Sequence, residues 1–216
     1  MAVNVEIGER FPKTIALPEA RPWSLRPINR EAFKGEEVVL RLMAAEDEER
    51  LLQFARNLPE DDLLFLRMDI TDPAVVRDWA RNVVEGRTIT ILAELKGKVI
   101  GYASVHMDPV RWTRRIGEIR INLAPGYRSS GIGRQLTNEI VSAAQTLELR
   151  TLVAQMTTDQ KNARAVFERL GFRIEAFLAK WVEDRKGQFH DVLLMAYRFP
   201  TADQESRPYG GSRPPD

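Results

Sequence analysis

The sequence predicts a mixed α/β (α+β) domain in which a mostly antiparallel central sheet is covered by helices on both faces. The prediction rests on the order of its patterns: β-rich runs in close succession, then helix, strand, helix and a closing hairpin. It also rests on size and balance. The 216 residues fit one sizeable domain with tails, and 44% apolar against 29% charged residues is enough to bury a core.

In chain order, residues 1–35 carry Pro12, Pro18, Pro22 and Pro27 among mixed charges and read as an extended arm. The domain follows over residues 36–199. Glu37 to Met43 reads as a strand, and Ala45 to Asn57 as a helix burying Leu51, Leu52 and Ala55. A linking segment, LPEDDLLFLRMDITDP, leads to a helix from about Ala74 to Glu85. Thr88 to Leu95 and Val99 to Met107 flank Lys96, Gly97 and Lys98 as a hairpin, and Arg115 to Leu123 completes an antiparallel meander. Ile132, Leu136, Ile140, Ala143, Ala144 and Leu147 form one apolar helix stripe. Arg150 to Met156 is a further strand. Asp159 is placed to cap a helix carrying Ala163, Val166, Phe167 and Leu170, with Gly171 ending it. Phe172 to Val182 and Phe189 to Phe199 form the last hairpin, and residues 200–216, rich in Pro, Gly and Ser, read as a disordered tail.

Composition narrows the chemistry. With 32 basic and 31 acidic residues there is no global field to suggest a nucleic acid or anionic membrane partner. Apolar runs fall short of the ~18 residues that span a bilayer, and Glu6, Glu9, Arg10 and Glu19 stand where a signal peptide is apolar, so a cytoplasmic location is expected. The absence of cysteine rules out an acyl-cysteine intermediate and thiolate zinc sites. With His106 and His190 the only histidines, no metal site is expected, and both read as ordinary strand residues.

The most informative stretch is APGYRSSGIGRQ, residues 124–135, between a strand and a helix. Gly131 and Gly133 remove side chains where the backbone turns into the helix, so amide N–H groups can converge on an anion at the positive end of the helix dipole. An ordinary turn with Ser129 or Ser130 as N-cap is the alternative. It is not a dinucleotide fingerprint, since Leu136 stands where the third glycine would be, and no GKS or GKT makes it a P-loop.

The run Arg128, Ser129, Ser130, Gly131, Ile132, Gly133 resembles the coenzyme A loop of the GNAT superfamily of N-acetyltransferases. Downstream, NARAVFERLGF (residues 162–172) resembles the family helix that starts near an Asn and ends in Gly-Phe. Together with the meander and hairpin, the resemblance covers roughly residues 37–199. It implies acetyl-coenzyme A as acyl donor, with the amides from Arg128 to Arg134 holding its pyrophosphate. The main chains of Ile121 and Leu123 would pair with the pantetheine arm as an added strand, and Asn162 would face the pantetheine or thioester. It also implies an amine-bearing acceptor, transfer by direct attack in a ternary complex, and room for a homodimer.

An alkyl amine with a reference pKa near 10.4 is almost wholly protonated at neutral pH, so a base is wanted. In IGEIRINL, alternation puts Glu118, Arg120 and Asn122 on one face of the strand entering the loop. Glu118 matches a position where some family members carry a general base, and Arg120 and Asn122 would meet the acceptor. A Glu118–Arg120 ion pair would compete with that use. The family tyrosine that protonates the departing thiolate is Phe167 here, with Tyr127 and Tyr197 as possible substitutes. That departure leaves open a degenerate domain binding acyl-coenzyme A as a sensor or interaction module. LPEDDLLFLRMD resembles domains that modify protein lysines, and KGQFHDVLLM resembles those that modify small amines and amino acids.

Overall fold

A computed structural model describes residues 13–16, 37–63, 66, 68–184 and 186–200. Its eight strands are β1 (Lys13–Ala16), β2 (Glu37–Leu42), β3 (Thr88–Leu95), β4 (Lys98–Met107), β5 (Ile116–Leu123), β6 (Thr151–Thr157), β7 (Arg173–Glu183) and β8 (Phe189–Arg198). Its helices are α1 (Glu48–Arg56), α2 (Glu60–Leu63), α3 (Pro73–Val84), α4 (Ile132–Thr146) and α5 (Lys161–Arg169). The strands form one sheet in the order β1-β2-β3-β4-β5-β6-β8-β7. Every pairing is antiparallel except that of β5 with β6.

Helices cover both faces, each through the stripe its sequence spacing supplies. Ile132, Leu136, Ile140 and Ala144 of α4, with Phe167 of α5, pack on Val38, Ile91, Ala103, Ile119, Leu152 and Met195. On the other face Leu51, Leu52, Phe54 and Ala55 of α1 and Val76, Trp79 and Ala80 of α3 enclose Leu92 and Tyr102. Burying one such large side chain contributes about 1.5–3 kcal/mol, so these two layers are the main source of stability.

Most of the expected arm and the whole tail beyond Pro200 lie outside the described residues. The described part of the arm, Lys13–Ala16, pairs antiparallel with β2 and so extends the sheet at that edge.

Two helix starts differ from the sequence reading, for identifiable reasons. The first helix opens as a 3₁₀ turn, Ala45–Asp47, before α1 begins at Glu48. Asp47 does not cap α1; its carboxylate is shared between β2 and the N-cap residue of the 3₁₀ turn. Arg41 donates to its two carboxylate oxygens at 2.7 and 2.5 Å, and the Ala44 N–H donates to it at 2.8 Å. Asp159 does not cap α5; Gln160 is the N-cap residue and no side chain caps the helix. The Asp159 carboxylate stands 3.9 Å from His190 Nδ1, while His190 Nε2 contacts Asp184 at 2.8 Å in the β7–β8 turn.

The Asp47 cluster also includes Glu94 of β3, which meets Arg41 at 2.5 Å and Arg50 at 2.6 Å, clamping β2, β3 and α1 together. Burial pushes the Asp47 carboxyl up, but the Arg41 hydrogen bond, the Ala44 N–H and the charges of Arg41 and Arg50 outweigh it and hold the group below its ordinary value. A depressed carboxyl stabilises the fold above its unfolded pKa, and that contribution is lost as pH falls through the folded value. Asp47→Asn should therefore cost roughly 1–3 kcal/mol at neutral pH, because Arg41 loses its two carboxylate hydrogen bonds to Asp47 while keeping Glu94. In urea melts the gap between wild type and variant should narrow on acidification below the ordinary aspartate range.

Candidate active site

The parallel pair at the centre of the sheet is incomplete. Ile116, Gly117 and Glu118 pair with Thr151, Leu152 and Val153, and there the pairing ends. Beyond that point β5 stays with β4 through Leu123, while β6 stays with β8 through Thr157. The sheet thus divides into two halves that part immediately after Glu118. Because β5 and β6 run parallel, the loop into α4 and the start of α5 both lie at the open end of the wedge.

Backbone alternation decides which groups line the wedge. The Ala124 N–H donates to the Ile100 carbonyl of the β4 side at 2.9 Å. In an antiparallel ladder alternate residues send their N–H and C=O to opposite edges. Asn122, Arg120 and Glu118 therefore direct their backbone groups to β4, and Leu123, Ile121 and Ile119 direct theirs into the wedge. Ile121 with both backbone groups, and Leu123 with its N–H, present the edge an extended ligand arm would need, the Leu123 carbonyl being met by Arg128 Nε. Their side chains pack on the α4 face of the sheet, with Leu123 buried and Ile121 against the same core.

The other face of β5 carries the polar residues. Arg120 Nε donates to Glu118 Oε1 at 2.9 Å, so the ion pair is formed. Both side chains remain about one-fifth exposed, at 21% and 19%, so they stay within reach of a solute. Asn122 is more enclosed, at 9%.

The loop between β5 and α4 is a turn with two left-handed residues, Ser129 (φ 63°) and Gly131 (φ 93°). For a serine this conformation costs on the order of 1 kcal/mol, and strain of this kind gathers at ligand-binding loops. Left-handed residues in such a turn redirect the amides that follow them and can make a concavity suited to an anion. The α4 N-terminus adds Gly133 and Arg134, whose amides have no helical carbonyl to meet. Gly131 is the N-cap residue, without a side-chain cap. A Cβ on Gly133 would meet nothing within 4 Å beyond its own helix turn, so the glycine keeps open a space that packing does not require.

Not every amide of the run is available. Arg128 N–H donates to the Pro125 carbonyl at 3.2 Å. The Ile132 N–H meets Ser130 Oγ at 3.3 Å, while the Ser130 hydroxyl donates to the Tyr127 carbonyl at 2.5 Å. Ile132 buries its side chain in the core and contributes only backbone to the loop. The Arg128 guanidinium is spent on a staple: Nε donates to the Leu123 carbonyl at 3.1 Å and Nη2 to Asp62 of α2 at 2.6 Å. Nothing in the spacing of Asp62 and Arg128 signals that contact.

On the facing bank, Asn162 lies exposed in the first turn of α5. Thr157, at the wedge end of β6, holds a buried hydroxyl without a hydrogen-bond partner among the described residues. A buried polar atom without a partner costs about 1–3 kcal/mol, so this one marks a place for a polar ligand group. Amide donors at α4, a free strand edge on β5 and this hydroxyl on β6 suit a pyrophosphate followed by an amide-bearing arm, so the residues fit coenzyme A.

Phe167 is 7% exposed and packs edge-on against Phe172 with ring centroids 4.9 Å apart. Tyr197 stacks with Phe172 and Phe199 and pairs in register with Leu152, beside the closed end of the wedge. Tyr197 is thus away from the open end. Tyr127 packs partly against the core next to the loop.

Among the described residues there is no cluster of His, Cys, Asp or Glu that could hold a metal ion, and no helix is long and apolar enough to cross a membrane.

Comparison with known proteins agrees with this geometry. The model of the acetyltransferase (GNAT) family matches residues 43–172. The mycothiol acetyltransferase of Streptomyces coelicolor is 34% identical over 82 residues, 38% of this chain and 26% of that protein. An L-methionine sulfoximine/L-methionine sulfone acetyltransferase of Pseudomonas aeruginosa is 26% identical over 112 residues, 51% of this chain and 64% of that protein. The chain thus spans less than two thirds of these relatives. The Salmonella typhimurium acetyltransferase yncA, solved with its cofactor acetyl-CoA, shares the fold at a TM-score of 0.66 and 19% identity, covering 76% of this chain and 98% of its own.

Proposed function

This chain belongs to the GNAT family of acetyltransferases, and on that premise we propose that it transfers the acetyl group of acetyl-coenzyme A directly to an amine. The observation that carries the reading is the parting of β5 from β6 immediately after Glu118. It combines, at one place, a free strand edge, an anion cradle at its end and a carboxylate at its apex.

Within Ser129 to Arg134 the backbone amides other than that of Ile132 hold the pyrophosphate, and the Ile121 edge with the Leu123 N–H aligns the pantetheine arm. Thr157 and Asn162 close the opposite bank. Glu118 takes the proton of the acceptor ammonium, and the freed amine attacks the thioester carbonyl. Developing charge on the carbonyl oxygen is met by a backbone N–H of the β5 edge. Arg120 and Asn122 orient the acceptor. We assign the acceptor to small primary amines, including amino acids, a class supported by the Pseudomonas relative that acts on amino-acid analogues.

The packing of Phe167 bears on the leaving group. Its burial accounts for the aromatic ring without any chemical role, so its lack of a hydroxyl does not favour a sensor. A thiol with a reference pKa near 8.5 leaves as thiolate at a cost on the order of 2 kcal/mol at neutral pH, which an enzyme tolerates. Thiol release from acetyl-coenzyme A, followed against a panel of amines, amino acids and lysine peptides, should show amine-dependent turnover by the wild type. Phe167→Tyr should turn over at an unchanged or up to ~10-fold higher rate. No turnover by wild type with robust activity in Phe167→Tyr would make the natural protein a coenzyme A binder.

A further inference from the structure

Glu118 has a partner across the sheet that the proposed chemistry does not use. His106 of β4 is directly opposite it in register, so both side chains rise from the same face, which also bears Arg120 and the α3 helix. Directly opposed residues hold their Cβ atoms about 4.5–5.5 Å apart.

The His106 ring is half-buried, and both of its nitrogens meet hydroxyls. Ser104 Oγ lies 2.8 Å from Nε2 and Thr88 Oγ1 lies 3.1 Å from Nδ1. Both hydroxyls are buried, and each can donate or accept. The imidazole can therefore gain or lose a proton while keeping both hydrogen bonds, which a carbonyl or carboxylate partner would not allow. His106 also borders a cavity of about 400 Å³ with Asp69, Asp78 and Trp79 and, on its other side, one of about 360 Å³ with Arg81, Arg87 and Thr88. The charged groups facing it are thus Glu118 and Arg120 from β5, Asp78 and Arg81 from α3, Asp69 before α3 and Arg87 before β3. Asp78 and Arg81 pair with each other at 3.1 Å.

We propose that His106 relays the acceptor's proton from Glu118 to water in these cavities. The inference rests on the base role assigned to Glu118 above. The acceptor ammonium gives one proton to a Glu118 carboxylate oxygen. The resulting carboxylic acid passes it to the imidazole through the hydroxyl bonded to the unprotonated ring nitrogen: that hydroxyl gives its own proton to the nitrogen lone pair and takes the Glu118 proton in exchange, and the imidazolium releases a proton to cavity water. Glu118 ends as carboxylate and His106 as neutral imidazole, so both are restored for the next acceptor. His106 acts through Glu118 and is a relay, not a group that touches the reacting atoms.

The test is His106→Gln in the full chain, with turnover measured against imidazole buffer concentration at fixed pH and ionic strength. Turnover number should fall about 10-fold in dilute buffer. KM for acetyl-coenzyme A should stay unchanged, and rising buffer should restore the rate in the variant alone. A wild-type rate in the variant, or a loss that buffer does not relieve, overturns the relay. A second measurement does not need turnover: the NMR titration of His106, one of only two histidines, in wild type and in Glu118→Gln. Removing the neighbouring carboxylate should lower the His106 pKa. An identical titration in both proteins also overturns the proposal. Absence of any turnover by wild type would refute the transferase reading instead, and the titration would still decide the coupling.

Discussion

Gly133→Val is expected to leave the protein folded and to abolish its stabilisation by coenzyme A. Gly133 lies in the first turn of α4, with no left-handed φ, and its missing Cβ faces open space, so a valine there meets nothing beyond its own helix turn at the first carbon. Its helix propensity is no worse than that of the glycine it replaces. The cost falls on the ligand, because the new methyl groups occupy the space in front of the free amides. Wild type should gain about 2.7 kcal/mol at a coenzyme A concentration a hundred times its Kd, a rise of roughly 5–10 °C in Tm. The variant should gain nothing. Gly131→Val is a poorer probe, because φ of 93° strains any L side chain and would mix folding with binding. An intact thermal shift in folded Gly133→Val would refute the cradle.

Glu118→Gln should lower turnover at neutral pH by roughly 10² to 10⁴ while leaving coenzyme A affinity nearly unchanged. Glutamine keeps the shape of the side chain and can still contact its neighbours, but it cannot take a proton. The deficit should shrink as pH rises toward the reference amine value near 10.4, because more of the acceptor then arrives as free base. Arg120 complicates a simple substitution at its own position, since its removal takes one hydrogen bond from the carboxylate as well as changing the acceptor surface. The pH dependence of Glu118→Gln separates the base role from an orienting one: a merely orienting carboxylate would give a deficit independent of pH.

The sequence made some features legible because they are local. Apolar spacing located α4 and its buried stripe, and the glycines of the loop marked a strand-to-helix turn. Alternation along β5 separated Glu118, Arg120 and Asn122 from the residues whose backbone edges face the wedge. What escaped is set by contacts between distant segments. Asp159 carried a capping signal, yet its carboxylate is directed to His190 instead. Asp47 binds Arg41 of β2, and Arg128 turns its guanidinium toward Asp62. Thr157 lay just beyond the strand read as Arg150 to Met156, and nothing local signalled that its hydroxyl would be buried without a hydrogen-bond partner among the described residues. His106 read as an ordinary strand histidine until the β4–β5 register set it opposite Glu118.

The most direct measurement is a stoichiometry: coenzyme A thiol released and acetylated amine formed, quantified together by thiol titration and mass spectrometry under a saturating acceptor. The account predicts one acetylated amine for each thiol released by wild type, with both yields falling together in Glu118→Gln. Thiol release without an acetylated amine, or tight binding of acetyl-coenzyme A with neither product across the acceptor panel, would contradict it.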